Sequence, residues 1–184
     1  MSHIEYNENG YLTTIIGPMF SGKTTELINI YNYIKTWAPK GWNYKKRKKE
    51  NNSKLMPTIL VINYKLDTRY SYDKLSSHDK QMIPCIFAEN LSEIADIVNI
   101  NIKEINNDFL DIDYILINEA QFFNDIVEWV DIAINKYNKN IIICGLDGDF
   151  ERKPFGNWLN LIPQSENVIK LYSNCKYCDN NANF

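Results

Sequence analysis

The stretch GPMFSGKTTELI, residues 17–28, decides the fold. It fits the pattern G-x-x-x-x-G-K-[ST] in full, after the β-branched run Tyr11–Gly17 and before apolar side chains at helical spacing. Glycines let a loop curl so that successive backbone N–H groups point at one anion, and the helix that follows adds the positive end of its dipole. The stretch therefore predicts a loop that binds the phosphates of a nucleoside triphosphate.

Each residue of this loop is a predicted phosphate-binding residue: Gly17, Pro18, Met19, Phe20, Ser21, Gly22, Lys23 and Thr24. The Lys23 ammonium group can reach the β- and γ-phosphates, so that we expect a catalytic as well as a binding role for it. The Thr24 hydroxyl group can bind the Mg²⁺ ion that accompanies ATP. The motif does not identify the second substrate.

Strands alternate with helices along the rest of the chain. Thr58–Asn63, Asp113–Asn118 and Asn140–Leu146 are apolar runs, typical of strands buried on both faces of a parallel sheet. MIPCIF, residues 82–87, is a weaker strand that suits an edge, because its proline cannot donate a hydrogen bond. Helices are predicted after the phosphate loop, over NLSEIADIVNI (residues 90–100), where Asn90 and Glu93 fit a capping box, and over Asp125–Tyr137. The pattern predicts an α/β fold of the P-loop NTPase type, a mostly parallel sheet flanked by helices.

Bulk properties exclude several classes of protein. A chain of 184 residues suits one domain with a small appendage, and a net charge of −3 argues against a surface made for nucleic acid. No apolar run approaches the ~20 residues that cross a membrane, and the polar start MSHIEYNENG does not resemble a signal peptide. We therefore expect a cytoplasmic protein without a membrane partner. Its cysteines are then thiols or metal ligands: Cys85, Cys144, Cys175 and Cys178.

One segment interrupts the alternation of strands and helices. Lys35–Lys54 contains a proline, a glycine and the basic run Lys45–Lys49. A solvated insertion explains this composition, and a contact with nucleic acid or another partner is the alternative.

The run DYILIN, residues 113–118, leads to a second cluster of polar side chains. P-loop enzymes usually hold their metal with an acid at the end of a neighbouring strand, and here that position is Asn118, which offers only a neutral carbonyl oxygen. Glu119 follows it and could serve as a general base for a substrate hydroxyl group. The alternative for Glu119 is a solvated residue at the end of a strand.

Several stretches together resemble the cytosolic, type II thymidine kinase family. They are GPMFSGKTTELI, VINYKLDTRY (residues 61–70), SSHD (76–79), NEAQFFNDIVEW (118–129), GLDGDFERKPFGNWLNLIP (145–163) and VIKLYSNCKYC (168–178). The resemblance covers nearly the whole chain outside Lys35–Lys54. It implies transfer of the γ-phosphoryl group of ATP to the 5′-hydroxyl group of thymidine, which yields dTMP for DNA synthesis by nucleotide salvage, and it implies a homotetramer.

The resemblance also implies roles for individual residues. Glu119 would be the catalytic base, with Gln121 beside it in the ATP site together with Asn118. Phe150 would pack against the thymine ring, and core packing is the alternative for this side chain. Three residues of the DTRY stretch would line the phosphate side: Asp67, Thr68 and Arg69. A surface ion pair is the alternative for the arginine.

The chain departs from the family pattern at three places. The family's DEGQ is NEAQ here, residues 118–121, the insertion is foreign to the family, and a single Cys-x-x-Cys pair, Cys175 and Cys178, supplies half of the family's four-cysteine zinc site. We therefore expect a kinase domain over residues 1–166 and the remnant of a zinc and lasso subdomain over 167–184. Because the lasso closes over thymine in the family, we expect weak activity or none. The alternatives are a non-catalytic ATP-binding relic and a nucleic-acid-linked P-loop ATPase.

Overall fold

The computed structural model describes residues 4–37, 39–42, 56–67, 74–76, 81–98, 107–178 and 180–183. Thr68, Arg69 and most of the predicted insertion, residues 43–54, lie outside the described residues. Among the residues described, no helix has both the length and the apolar character needed to cross a membrane.

The strand and the helix that flank the predicted phosphate loop form where the sequence predicts them. Strand β1 spans Tyr11–Gly17 and helix α1 spans Lys23–Trp37. The apolar face of α1 is buried as its helical spacing predicts, and its buried side chains are Leu27, Ile28, Ile30, Tyr31 and Ile34. Residues 18–22 therefore form a short connection between a buried strand and the N-terminus of a fifteen-residue helix.

Six strands of the described chain form one parallel sheet. They are β1, β2 (Ile59–Tyr64), β5 (Ile86–Ala88), β6 (Tyr114–Ile117), β7 (Asn140–Leu146) and β8 (Asn167–Lys170). Their order across the sheet is β5-β2-β6-β7-β1-β8. Their carboxyl ends lie at one edge, which brings the loops after β1, β2, β6 and β7 together. The α/β class and the mostly parallel sheet are confirmed.

Helices cover both faces of this sheet. Helix α1 packs against one face with β1, β2 and β6, while helix α3, Ile126–Asn135, packs against the other face. The predicted apolar face of α3 is confirmed, since Ile126, Trp129, Val130 and Ile134 are buried. At ~25 cal/mol per Å² of apolar surface, burial on both faces is the main stabilising contribution.

Smaller elements complete the described fold. Strands β3 (Lys74–Ser76) and β4 (Met82–Pro84) pair antiparallel, as do β9 (Ser173–Asn174) and β10 (Asn181–Ala182). Helix α2 spans Asn107–Leu110, and 3-10 helices span Leu91–Glu93, Ala120–Phe122 and Trp158–Gln164. The domain boundary predicted after residue 166 stays a prediction, and the residues that follow it form β8 of the main sheet.

Two sequence predictions differ from the structure. The MIPCIF stretch is two short strands on either side of Cys85, of which β5 lies at the predicted sheet edge. The helix predicted over residues 90–100 is wrong, because only Leu91–Glu93 forms a 3-10 turn within the described part. The N–H groups of Leu91 and Ser92 at the start of this turn donate to the Asp125 carboxylate at 3.1 and 2.9 Å. The carbonyl oxygen of Ala95 accepts the indole N–H group of Trp129 at 2.9 Å, a tertiary contact that competes with a helical hydrogen bond. The predicted contact of the capping-box glutamate is present, with 3.1 Å between the Asn90 nitrogen and Oε1 of Glu93.

Candidate functional site

A cavity of about 560 Å³ opens at the carboxyl edge of the main sheet. Its lining includes most of the residues that the sequence predicts for the site: Met19, Phe20, Gly22, Lys23, Thr24, Asp67, Asn118, Glu119 and Gln121. Gly17, Pro18 and Ser21 complete the same loop. The fold therefore brings together residues from the ends of β1, β2 and β6 that are far apart in sequence.

The loop after β1 is tightly packed at its first residue. A Cβ atom on Gly17 would lie 2.6 Å from the carbonyl oxygen of Leu171 and 2.7 Å from Oγ of Ser21, so that only glycine fits. At the other end of the loop, Nζ of Lys23 donates to the carbonyl oxygen of Pro18 at 2.6 Å. The ammonium group thus folds over the loop, where an anion held by the backbone N–H groups would contact it.

Burial is the main cause of the shifted pKa of Lys23. It lowers the pKa of Lys23 below the ordinary lysine value, and the positive charge of Lys170 adds to this effect, while Glu119 and Asp147 oppose it. Lys170 and Asp147 themselves form an ion pair. A dianionic or trianionic group bound in the loop would raise the pKa of Lys23 again, because an opposite charge stabilises the ammonium ion.

Glu119 has an uncommon backbone conformation. It lies directly after β6 with φ 56° and ψ 43°, in the left-handed region that costs a residue with a side chain about 1 kcal/mol. Its Oε2 atom accepts a hydrogen bond from Nε2 of Gln121 at 2.6 Å. Oε1 of Gln121 in turn accepts the N–H group of Leu146 at 3.0 Å, so that β7 fixes the amide that holds the carboxylate.

Two oxygen atoms suited to a hard cation lie beside Lys23. Oγ1 of Thr24 and Oδ1 of Asn118 are 3.4 Å apart, and both residues line the cavity. Oδ1 of Asn118 also accepts from the thiol of Cys144 at 3.0 Å. Burial raises the pKa of Cys144 to about 12, so that the sulfur keeps its proton and remains a donor at neutral pH.

An aromatic cluster forms the wall of the cavity beyond Glu119. The rings of Tyr64 and Phe122 stack with their centroids 5.0 Å apart and 25° between their planes, and Phe155 meets Phe122 edge-on at 5.5 Å. All three side chains line the cavity. We did not predict these residues as ligand contacts, although the FF pair directly after Gln121 is a signal for an aromatic wall. The reason is that Tyr64, Phe122 and Phe155 meet only through the order of the strands.

Phe150 lies apart from this cluster. Its side chain is 93% exposed, and it does not line the cavity. It occupies the turn after β7 in which the backbone N–H groups of Glu151 and Lys153 donate to Oδ1 of Asp149. The predicted contact between Phe150 and a planar base therefore stays a prediction.

The cysteine pair lies on the hairpin of β9 and β10. The backbone N–H group of Tyr177 donates to Sγ of Cys175 at 3.5 Å, and this contact is the main cause of the lowered pKa of Cys175. Within the described ranges, no group of three or more histidine, cysteine, aspartate or glutamate side chains could hold a metal ion. Zinc binding by Cys175 and Cys178 stays a prediction. The hairpin contacts the loop after β1, because the Ser173 hydroxyl group donates to the carbonyl oxygen of Met19.

Comparison with known proteins gives one consistent family. The sequence model of the thymidine kinase family matches residues 10–184. The chain is 40% identical over 178 residues to the thymidine kinase of Yaba monkey tumor virus, an alignment that covers 97% of the chain and 81% of the viral protein. It is 36% identical over 175 residues to the thymidine kinase of vaccinia virus, which covers 95% and 81% of the two chains. It is 36% identical over 169 residues to the cytosolic thymidine kinase of Homo sapiens, which covers 92% and 59%.

Proposed function

The chain belongs to the thymidine kinase family and phosphorylates thymidine, and we propose that Glu119 is the base of this reaction. The reaction is the transfer of the γ-phosphoryl group of ATP to the 5′-hydroxyl group of thymidine. One observation carries the proposal for the site. A lysine from the loop after β1, a carboxylate from the end of β6 and a wall of aromatic rings all line one cavity.

The chemical step follows from these positions. The 5′-oxygen of thymidine attacks the γ-phosphorus atom, the bond from that atom to the β,γ-bridging oxygen breaks, and ADP leaves. The hydroxyl proton passes to the Glu119 carboxylate, and the Lys23 ammonium group stabilises negative charge on the phosphoryl oxygens. Gln121 holds the carboxylate in place from 2.6 Å. Positioning and charge neutralisation are most of what phosphoryl transfer requires of a protein.

A magnesium ion bound with ATP fits the oxygen atoms of this site. Mg²⁺ prefers oxygen ligands, keeps several water molecules and takes few ligands from the protein when phosphates are present. The Thr24 hydroxyl and the Asn118 amide oxygen, 3.4 Å apart, would hold it. When bound, the ion neutralises charge on the β- and γ-phosphates. Asp67, which also lines the cavity, adds a negative charge to this side of the site.

The thymine ring would lie against the aromatic wall. Phe122 is held between Tyr64 on one face and the edge of Phe155, so that its orientation is fixed before a ligand arrives. A planar base gains stacking energy on such a ring, about 0.5–1.5 kcal/mol beyond burial of area. Met19 and Leu146 supply further apolar surface at the same cavity. The proposed role of Glu119 requires that the 5′-hydroxyl group of the bound nucleoside faces its carboxylate.

A steady-state assay of dTMP formation tests the role of Glu119. We expect Glu119→Gln to lower kcat by about 10²–10⁴-fold, because the amide cannot accept the proton, while the affinity for ATP is retained. The matched control is Glu128→Gln, an exposed glutamate on α3, which should leave kcat unchanged. Binding of ATP by the wild-type protein without any dTMP would contradict the proposal and would instead support a non-catalytic relic.

The cellular location, the oligomeric state and the metabolic role of the chain belong to the same proposal. We propose that the chain works in the cytosol as a homo-oligomer and supplies dTMP for DNA synthesis by nucleotide salvage. The support is its similarity to thymidine kinases that include cytosolic ones. Light scattering after size-exclusion chromatography would measure the oligomeric state, and a mass equal to the single chain of 21.6 kDa would contradict that part.

A further inference from the structure

Two buried amide side chains face each other beneath the phosphate loop. Asn63 and Asn118 are each only 2% exposed, and Nδ2 of Asn118 donates to Oδ1 of Asn63 at 2.9 Å. They stand at the carboxyl ends of neighbouring strands, Asn63 within β2 and Asn118 directly after β6. The other end of the Asn118 amide, its Oδ1 atom, faces Cys144 and Thr24 at 3.0 and 3.4 Å.

The orientation of Asn63 is fixed from its far side. Its Nδ2 atom lies 3.3 Å from Oδ2 of Asp67 and 3.5 Å from the backbone oxygen of the same residue. A carboxylate and a carbonyl group accept hydrogen bonds and do not donate them, so that Asn63 must turn its nitrogen toward Asp67. Its oxygen then points at Asn118. The three side chains form a directed series in which each amide passes its orientation to the next.

We propose that Asn63 is a positioning residue for the magnesium ion that binds with ATP, because it keeps Oδ1 of Asn118 facing Thr24. The proposal rests on the proposed function, since the ion enters the site with the nucleotide. Asn63 does not touch the ion or the nucleotide in this role. Oδ1 of Asn63 accepts the hydrogen bond from Nδ2 of Asn118, so that Oδ1 of Asn118 remains on the side of the metal.

The chemistry of the amide explains why such a partner is needed. A carboxylate offers an oxygen in either orientation, whereas an amide rotated by half a turn presents two N–H donors to the cation. A neutral amide at position 118 can therefore bind Mg²⁺ only if its neighbours select one orientation. Asn63 makes that selection from one side and the Cys144 thiol from the other. Residues that orient metal ligands commonly contribute 10–100-fold to metal affinity.

Substitution of Asn63 separates positioning from packing. Asn63→Leu keeps the volume and removes the acceptor for Asn118, whereas Asn63→Asp keeps an acceptor at the same place. The probe is Mn²⁺, whose affinity for the complex of protein and ADP is measured by the electron paramagnetic resonance signal of the free ion. We expect about 10–100-fold weaker Mn²⁺ binding for Asn63→Leu, with its affinity for metal-free ADP unchanged, and no weakening of Mn²⁺ binding for Asn63→Asp.

A buried amide elsewhere serves as the matched control. Asn140 is 1% exposed and bonds to the backbone of Asn7 at 2.8 and 3.0 Å, at the amino end of β7 and away from the cavity. Asn140→Leu should lower thermal stability without a change in Mn²⁺ affinity. Should Asn63→Leu fail to fold, Cys144→Ala acts on the opposite end of the same amide and should also weaken Mn²⁺ binding.

Each outcome decides the question. Unchanged Mn²⁺ affinity in Asn63→Leu, or in Cys144→Ala where that variant is used, would overturn the positioning role, and so would an equal loss in Asn140→Leu. A wild-type protein that binds ADP equally well with and without Mn²⁺ would overturn it as well, while it leaves the role of Glu119 standing. Failure of the wild-type protein to bind any adenine nucleotide would instead overturn the proposed function, and the inference with it.

Discussion

Replacing Gln121 with leucine tests how the carboxylate of Glu119, the proposed base, is held in place. Gln121 is 6% exposed, donates to Oε2 of Glu119 at 2.6 Å and accepts the N–H group of Leu146 at 3.0 Å. Leucine has a similar size and makes neither hydrogen bond. The substitution therefore removes the link between β7 and the carboxylate with little change in packing.

The expected loss of kcat in Gln121→Leu follows from the type of hydrogen bond that is lost. A hydrogen bond to a charged group contributes about 1.5–3 kcal/mol, and each 1.36 kcal/mol of transition-state stabilisation changes a rate tenfold. We therefore expect Gln121→Leu to lower kcat for dTMP formation by about 10- to 150-fold. The Leu146 N–H group loses its partner, which lowers the free energy of unfolding by about 1–3 kcal/mol.

Two measurements separate the loss of kcat from the loss of stability. Thymidine-dependent release of ADP gives kcat at saturating substrates, and thermal denaturation gives stability. Asn140→Leu, the same change at a buried amide on the opposite edge of the sheet, should lower stability and keep kcat. Gly145→Ala should lower kcat as well, because its Cβ atom would lie 2.6 Å from Oε1 of Gln121. Unchanged kcat in Gln121→Leu, with a loss of stability alone, would refute the reasoning.

Three further predictions concern charge, base binding and the core. Because burial lowers the pKa of Lys23, the alkaline decline of kcat/KM for ATP should have its midpoint below the ordinary lysine pKa of about 10.4. The alkaline decline of kcat should occur at a higher pH, because bound triphosphate favours the ammonium form. A midpoint for kcat/KM at or above about 10.4 would contradict this prediction. Phe122→Leu should raise KM for thymidine about 2- to 10-fold through lost stacking. Phe150→Leu, measured in the same assay, tests the contact of Phe150 with thymine that the family resemblance predicts. An unchanged KM in Phe150→Leu would contradict that contact. Lys139→Met should lower the free energy of unfolding by about 2–4 kcal/mol in a denaturant titration. The reason is that the buried Nζ atom donates to the carbonyl oxygens of Phe109, Leu110 and Ile112. Equal stability of the variant and the wild-type protein would show that the amine is not required there.

Strongly patterned segments could be predicted from the sequence. β1 and β7 have the predicted bounds, because short runs rich in β-branched residues that end at a turn signal are typical of buried strands. The helix predicted over residues 90–100 is wrong although the periodicity favours one. The indole nitrogen of Trp129 donates to the carbonyl oxygen of Ala95, and Asp125 accepts N–H groups of the preceding turn. Such contacts join segments over 30 residues apart and are not visible in a local pattern.

The candidate site could be predicted in part for the same reason. Lys23, Thr24 and Glu119 stand in short motifs, and the structure brings all of them to one cavity. The partners of these residues could not be predicted, because they depend on the order of the strands. Asn63 lies 55 residues before Asn118, and only the pairing of β2 with β6 places the two amides in contact. The stacking of Tyr64 on Phe122 depends on the same pairing.

The most direct test of the central claim is a single-turnover reaction with γ-labelled ATP and thymidine carrying ¹⁸O at its 5′-position. The 5′-oxygen of thymidine attacks the γ-phosphorus atom beside Glu119 in this account, so that labelled phosphate and ¹⁸O should appear together in dTMP, in amounts equal to the ADP formed. Release of ADP with free labelled phosphate and without dTMP would contradict the claim.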